Sequence, residues 1–522
     1  VTGSVGPFAG LNVPWLLDTR ARDRRNHPFV IWQPVEGPAE TWTYGRFADR
    51  VNALAAGFEQ RGLRPGDTVL IHLENCVEFL LAWFACAKTG AVAVTTNARA
   101  AAQEMSYFAE HSRAVAAITQ PSLAGMVASA CPNLRWIAVT AHDSGAVPAQ
   151  ADRPDGADSF DALFGDASLA ARRAQDPAET CSVQFTSGTT ARPKGVVWSH
   201  GNALWGARVN AQHEALRPDD IHLVYSPLFH TNALSYSLLA TLWVGATAVV
   251  VPRFSASRFW DVAVRHRCTW GSMNSFTTRA LLEQDVPPDH SFRLWGTPLS
   301  DSPALEKFGI KTIGWWGMTE TISHGIVGDP YTVVRPVGVG RAAPEYAVRV
   351  IGEDGRATPV GGTGSLLIGG VRGLSLFKEY LHDESATRAG FDESGYFVTG
   401  DRVQVLDNGV LAFAGRAKDL LRVGGENVAA LEIERVALGV AGVREAAVVA
   451  KPHPMLDEVP VMFVIPVGGV DNAGEHLVDD ILAACRRDLA AFKVPREVRL
   501  LDEFPRAALD KVAKSELAKT VD

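Results

Sequence analysis

Helix-like and strand-like runs alternate along most of this 522-residue chain. Apolar positions recur at helical spacing over 51–61, and Thr68-Val69-Leu70-Ile71-His72-Leu73 is a continuous apolar run suited to a buried strand. Residues 77–88 return to helical spacing and stop at Gly90, and Ala91-Val92-Ala93-Val94 reads as a further strand. The stretch 233–251 approaches the length of a membrane span, but Ser235, Ser237, Thr241, Gly245 and Thr247 interrupt it. Gly245 there divides a buried helix over 235–244 from a buried strand over 246–251, which Pro252 ends. This rhythm predicts α/β layers with partly parallel sheets.

Two stretches depart from it. Residues 143–178 are rich in Ala, Asp, Gly and Pro and read as a surface connection. Near 415–425 the strand-turn-strand pattern of 396–413 gives way to Arg416-Ala417-Lys418-Asp419 and then Gly424-Gly425. A helix over 431–438, strands over 446–450 and 461–466, and a helix over 477–489 follow, which together make a compact α+β unit. The expected domains are therefore 1–416 and 417–522.

Composition narrows the picture. With 47% hydrophobic and 21% charged residues the chain can bury a large core spread over more than one domain. A formal charge of −8 gives no general pull toward nucleic acid or anionic membrane. The six cysteines lie in no CxxC pair and in no zinc-ligand spacing with histidine, so they read as buried small hydrophobes in a reducing compartment. No basic segment leading into an apolar core opens the sequence, and the expected location is the cytoplasm.

Chemistry gathers in three places. Between strand-like 182–185 and 196–198 lies Thr186-Ser187-Gly188-Thr189-Thr190-Ala191-Arg192-Pro193-Lys194-Gly195. Glycines let backbone N–H groups approach an anion, hydroxyls donate to it, and Arg192 and Lys194 offset its charge. A Walker loop is excluded, because Lys194 follows a proline and precedes a glycine instead of opening a helix. Downstream, Trp316-Gly317-Met318-Thr319-Glu320 joins an aromatic face to a hydroxyl and a carboxylate. Finally, Tyr396-Phe397-Val398-Thr399-Gly400-Asp401 ends a strand on an acid able to accept from both ribose hydroxyls. Taken singly, such runs serve equally as turns, caps and packing.

Six motifs in order change that: 185–195, Leu228-Phe229-His230, 316–320, 396–401, 415–434 and 504–511. From Trp42-Thr43-Tyr44 to Leu517 the chain resembles the adenylate-forming superfamily of acyl-CoA synthetases, aryl-CoA ligases, peptide-synthetase adenylation domains and beetle luciferases, and is nearest in pattern to bacterial acyl-CoA synthetases. The resemblance implies an α/β fold. A large N-terminal domain of layered α/β subdomains with a β-barrel-like portion would carry a small mobile α+β C-terminal domain. It also implies two steps, with a carboxylate attacking the α-phosphate of ATP to release pyrophosphate, and CoA thiolate then displacing AMP.

By the same resemblance Thr186, Ser187, Gly188, Thr189, Thr190 and Lys194 hold the outer phosphates, Glu320 binds Mg²⁺, and Thr319 meets the α-phosphate. Gly296, Thr297 and Pro298 with Trp316 and Gly317 line the adenine slot, Asp401 takes the ribose, and Arg416 contacts ribose or phosphate. Lys511 bridges carboxylate and α-phosphate, Lys418 is the hinge, and Gly424-Gly425 reaches the thioester site. His230 joins Lys511, Thr319 and Glu320 in the catalytic set. It also lines the acyl pocket with Asn232, Ser235, Asn274, Phe276, Gly317, Met318 and Ser323.

Two departures qualify the likeness. Leu509-Asp510 stands where relatives carry Thr-Gly before the lysine, and Asp tolerates positive φ less well than Gly. Phe229-His230 replaces the Phe-Asp of amino-acid-activating relatives, which argues against an α-amino acid. The neutral, partly apolar pocket set points to a largely apolar monocarboxylic acid. The expected partners are that acid, ATP and CoA, with no nucleic acid and a homodimer left open. Alternatives are an enzyme that stops at acyl-AMP or passes the acyl group to a carrier protein or another nucleophile, and a non-catalytic nucleotide-binding protein.

Overall fold

The computed structural model describes residues 6–146, 153–170, 173–186, 193–298, 306–329, 331, 338–416, 420–423, 426–454, 456–489, 491–506 and 512–521, with backbone only for Ser275, Phe276, Arg279, Arg416, Leu420, Arg422, Glu426, Asn427, Ala429 and Asp457. Two compact units emerge: Val1–Val348 with Ile368–Tyr396, and Arg349–Leu367 with Phe397–Asp522.

The first unit holds two mixed sheets. One runs, edge to edge, Glu379–Tyr380, Lys194–Ser199, Thr180–Thr186, Val92–Thr95, Thr68–His72, Ala116–Thr119, Trp136–Val139 and Asp158–Ser159. Its pairs are parallel from Thr180–Thr186 outward to Asp158–Ser159 and antiparallel at the Lys194 end. The other runs Arg341–Ala342, His324–Val327, Thr312–Gly317, Leu294–Thr297, Trp270–Ser272, Ile221–Val224, Thr247–Val250, Pro28–Trp32 and Glu40–Thr43, with a parallel centre. The helix Val77–Thr89 buries almost every side chain, as its unbroken Phe-Leu-Leu-Ala-Trp-Phe run requires, and stops where Gly90 takes φ +77°.

Two helices differ from the expected bounds. The helix expected over 51–61 runs Tyr44–Gln60, because the Thr43 hydroxyl accepts from the Arg46 N–H and caps it about two turns earlier. The segment expected as an ordinary helix over 235–244 begins at Asn232 and is π-helical through Leu239 before the α-helix Ala240–Val244 and a left-handed Gly245. A π segment adds a residue per turn and re-aims side chains, which periodicity in the sequence does not reveal. Within the expected surface connection, Phe160 and Leu163 are buried, and Gly57 approaches so closely that a Cβ there would strike the Leu163 carbonyl.

Most of a four-stranded sheet with an open strand order, Ala347–Ile351, Thr363–Gly369, Phe397–Val405 and Leu411–Arg416, belongs to the second unit, and its last two strands pair antiparallel. No closing pair turns this sheet into a barrel among the described residues. The second unit also holds a sheet of Glu426–Ala429, Leu420–Val423, Asp457–Pro466, Val443–His453 and Glu497–Leu500, covered by the helices Ala430–Leu438 and Leu477–Asp488. The expected hinge Lys418 and the loop Gly424-Gly425 lie outside the described residues. All six cysteines are free and buried. Among the described residues no helix is long and apolar enough to cross a membrane.

Candidate active site

The hydroxyl-rich loop springs from a tight antiparallel pair. Thr186 faces Lys194 across the strands, and its hydroxyl donates to the Lys194 carbonyl at 3.4 Å. The Tyr107 hydroxyl donates to the Pro193 carbonyl at 2.9 Å and pins the loop's exit. Ser187, Gly188, Thr189 and Thr190 lie outside the described residues.

Lys194 does not stand alone. Its ammonium lies 4.6 Å from the centre of the Tyr380 ring, a cation–π distance. The Tyr380 hydroxyl in turn donates to Glu320 Oε1 at 2.9 Å. Tyr380 comes from the short edge strand that pairs with Val196 and Val197, and the next backbone link ties the Phe377 N–H to the Glu320 carbonyl at 2.8 Å. Burial, reinforced by the Glu320 charge, raises the Tyr380 pKa, so this hydroxyl remains a donor. The structure thus joins the phosphate-loop lysine to the expected Mg²⁺ carboxylate through a tyrosine that the sequence reading missed. Its only signal was its place in Phe377-Lys378-Glu379-Tyr380, outside every motif considered.

Thr319 is held from two sides. Its carbonyl accepts from Trp198 Nε1 at 2.9 Å. Its hydroxyl lies 3.1 Å from that of Thr231, which lies 3.0 Å from Gln184 Oε1. Thr231 has one proton for two neighbours, and when it goes to Thr319 the Thr319 proton is left for a further acceptor. Thr231 follows His230, so the same turn places the half-buried His230 beside the Thr319 network. The His230 ring packs on Phe229 at 4.4 Å, and Asn75 fixes the turn by accepting from the Leu228 N–H and donating to the Ser226 carbonyl.

Glu320 offers a carboxylate to this corner, and no cluster of three metal-ligating side chains exists among the described residues. That donor set suits Mg²⁺, which keeps waters and takes phosphate oxygens alongside one or two carboxylates.

The expected adenine slot is assembled from parallel neighbours, with Gly296 beside Ile313 and Thr297 beside Gly314. A Cβ on Gly296 would strike the Trp315 ring, whereas Trp316 packs toward Gly325, so the two tryptophans occupy opposite faces of their strand. Pro298 is exposed at the strand end. In the second unit, buried Asp401 pairs with Arg416 across adjacent strands, which brings the two expected ribose residues together in register.

At the expected acyl end the polar side chains divide. The Asn232 amide exchanges hydrogen bonds with the Ser272 hydroxyl at 2.7 and 2.9 Å. Ser235 donates to the Ile322 carbonyl and accepts from Asn210, and Asn274 caps the helix Ser275–Leu282 by accepting from the Thr277 N–H. Gly317 and Met318 are half-buried beside Thr319, and Ser323 is buried. Ile322 takes φ +64°, a costly state for a β-branched residue, directly after Thr319-Glu320-Thr321.

Sequence reasoning passed over the deepest part of this region. Gly317 sits opposite His324 across an antiparallel pair, and a Cβ on Gly317 would meet the Tyr236 hydroxyl at 2.4 Å. The His324 ring stacks on Trp315 at 4.3 Å and lies 4.2 Å from Tyr236, while Trp315 also stacks on Trp270 at 5.4 Å. Burial, then nearby His213, holds the His324 pKa well below the ordinary histidine range.

A family model described as AMP-binding enzyme matches residues 17–381, and one described as AMP-binding enzyme C-terminal domain matches 432–511. The crotonobetaine/carnitine–CoA ligase of Escherichia coli O139:H28 is 32% identical over 506 residues, spanning 94% of this chain and 95% of that protein. That of Salmonella paratyphi C is 29% identical over 528 residues, spanning 97% and 99%. The crystal structure of an anthranilate–CoA ligase in complex with anthranoyl-AMP shares the fold with a TM-score of 0.87 at 24% identity, spanning 99% of this chain and 98% of that one. The chain therefore belongs to the AMP-binding enzyme family, as one of its ATP-dependent acyl-CoA ligases.

Proposed function

We propose that this protein acts in the cytoplasm on a largely apolar monocarboxylic acid, with its first step at the Lys194–Tyr380–Glu320 corner. The single observation that carries this is the chain of contacts from the Lys194 ammonium through Tyr380 to Glu320, with Thr319 one residue away. Both partners of the first step are anionic, so catalysis rests on charge compensation and positioning. Lys194 and the loop hydroxyls bind the outer phosphates, which leave as pyrophosphate when a carboxylate oxygen attacks the α-phosphorus. Thr319 donates to a nonbridging oxygen of that phosphate. Mg²⁺ held by Glu320 would supply further charge neutralisation there.

Asp401 and Arg416 hold the ribose, and Lys511 spans the carboxylate and α-phosphate. Rotation of 417–522 about Lys418 then withdraws Lys511 and brings Gly424-Gly425 to the site. There the CoA thiolate attacks the acyl carbonyl and AMP leaves. His230 closes the acyl side beside Thr319.

The test is pyrophosphate release and acyl-CoA formation over an acid panel that includes crotonobetaine and carnitine. Lys511→Ala should lower ATP–pyrophosphate exchange by about 10²-fold or more while thioester formation from preformed acyl-AMP stays near wild type. Equal loss in both steps would remove Lys511 from its assigned role, and accumulated acyl-AMP with CoA present would favour a different acceptor.

A further inference from the structure

The region behind Gly317 is buried yet incompletely hydrogen-bonded. Tyr236 is 5% exposed and His324 fully buried. The Tyr236 hydroxyl and both ring nitrogens of His324 have no hydrogen-bond partner among the described residues. Unmatched buried polar atoms are costly, and such edges are normally satisfied by a ligand or an ordered water. Their place is specific. Gly317 lies within the Trp316-to-Glu320 motif, and its missing Cβ is what admits the Tyr236 hydroxyl.

The ring faces here are occupied. Trp315 stacks on both Trp270 and His324, and Tyr236 packs on His324, so the aromatic surface is not arranged as an open cage for a cation. What remains available is the polar edges.

No charged side chain is hydrogen-bonded to them, although the Glu320 carboxylate acts on Tyr236 from a distance. His324 is kept neutral by burial, as noted above. His213, the nearest imidazole, is paired with Glu345 at 2.8 Å. Glu214, fully buried near Tyr236, has its pKa pushed well above the usual carboxyl range by burial and then by Asp220. Tyr346 donates to the Thr321 carbonyl at 2.6 Å.

We infer that Tyr236 and His324 form a polar subsite behind Gly317, which binds an uncharged hydroxyl or carbonyl oxygen carried by the acid. Tyr236 Oη and one His324 N–H donate to that oxygen. The inference rests on the acyl-CoA ligase reading and adds to it a specificity determinant: the acid is apolar along its length but polar at its end.

The full-length enzyme is assayed by acyl-CoA formation with straight-chain acids from butanoate to octanoate, each beside its terminal hydroxy, methyl-keto and trimethylammonium counterparts. Benzoate and its hydroxylated derivatives complete the panel. The expected result is that kcat/KM favours a hydroxy or keto acid over its unsubstituted parent by about tenfold. Tyr236→Phe and His324→Phe, which keep the stacked rings, should erase that preference while leaving the unsubstituted parent within about twofold. Thermal melting of both variants separates a lost contact from a lost fold. A preference for unsubstituted or trimethylammonium acids, or equal effects of the variants on both classes, would overturn the subsite. The second result would mean that only water fills it. Turnover of no acid in the panel would instead count against the ligase reading.

Discussion

The two ends of the first unit's site are built in opposite ways. At the nucleotide end the groups assigned to chemistry hold one another, with only Gln184 Nε2 in their network unmatched among the described residues: Lys194 lies over Tyr380, Tyr380 donates to Glu320, and Thr319 is tied to Thr231 and Trp198. At the acyl end, Tyr236 and His324 are packed by their faces and left unmatched at their edges. The contrast separates two tasks. Chemistry common to every substrate needs donors fixed before the reaction begins, because reorganising them in the transition state costs rate. Selectivity for one acid is best served by groups whose hydrogen bonds that acid completes, since a competitor then leaves them unpaired.

The sharpest way to break this contrast is to remove the fixed carboxylate. Glu320→Ala should lower kcat for adenylation by about 10³-fold with every acid, because it strips charge compensation from a step shared by all of them. An effect that varied strongly from acid to acid would place Glu320 in selectivity instead. Next in size is Gly317→Ala, whose Cβ would meet Tyr236 Oη at 2.4 Å and the Ser323 carbonyl at 2.7 Å. Overpacking of this kind costs about 1–3 kcal/mol, and kcat/KM for the acid should fall by about tenfold or more. Adding Tyr236→Phe removes the first atom struck and should restore part of the loss.

Acid conditions probe the acyl end separately. His324 has a folded-state pKa depressed by burial, so the unfolded chain binds more protons below its pKa of about 6.5. Its contribution to stability is therefore complete above that value and is lost as pH falls toward the folded-state pKa, at up to about 1.4 kcal/mol per pH unit. His72, His200 and His222 are depressed in the same way by burial, so the whole protein should lose stability below pH of about 6.5. In chemical denaturation at a series of pH values, His324→Phe should flatten this slope by one proton's worth. An unchanged slope would mean that His324 is solvated or already charged in the folded protein.

How much of this was legible in the sequence follows from what each element depends on. Strands 68–73 and 91–94 and the helix ending at Gly90 were readable because burial on all sides leaves a continuous apolar run and glycine marks the stop. The order of the motifs revealed the family, and the strand register indeed sets Asp401 opposite Arg416. The π-helical turn at Asn232–Leu239 was not readable, since it changes which side chains face inward without changing their apolar character. Tyr380 and Tyr236 were missed for a related reason. Each acts through a contact made across distant strands, 60 residues from Glu320 in one case, and a lone tyrosine in an apolar segment looks like core.

Tyr380→Phe tests the nucleotide end more gently than Glu320→Ala. The ring under Lys194 remains, and only the hydrogen bond to Glu320 Oε1 is lost. Adenylation should slow by about tenfold, again equally for all acids. A larger effect on one acid than on another would break the division between the two ends.

The smallest effect belongs to Asn274, which the sequence places among the acyl-pocket residues. Its side-chain oxygen accepts from the Thr277 N–H at 2.8 Å, and its own N–H donates to the Thr277 hydroxyl at 3.0 Å. That reciprocal pair is a helix cap, and the residue is exposed. Asn274→Ala should cost about 1 kcal/mol of stability in denaturant unfolding and leave the ranking of acids by kcat/KM untouched. Asn274→Asp keeps an accepting oxygen and should restore the stability. A changed ranking with unchanged stability would extend the acyl end to the start of this helix, and the unmatched edges of Tyr236 and His324 would then be one part of a larger selective surface.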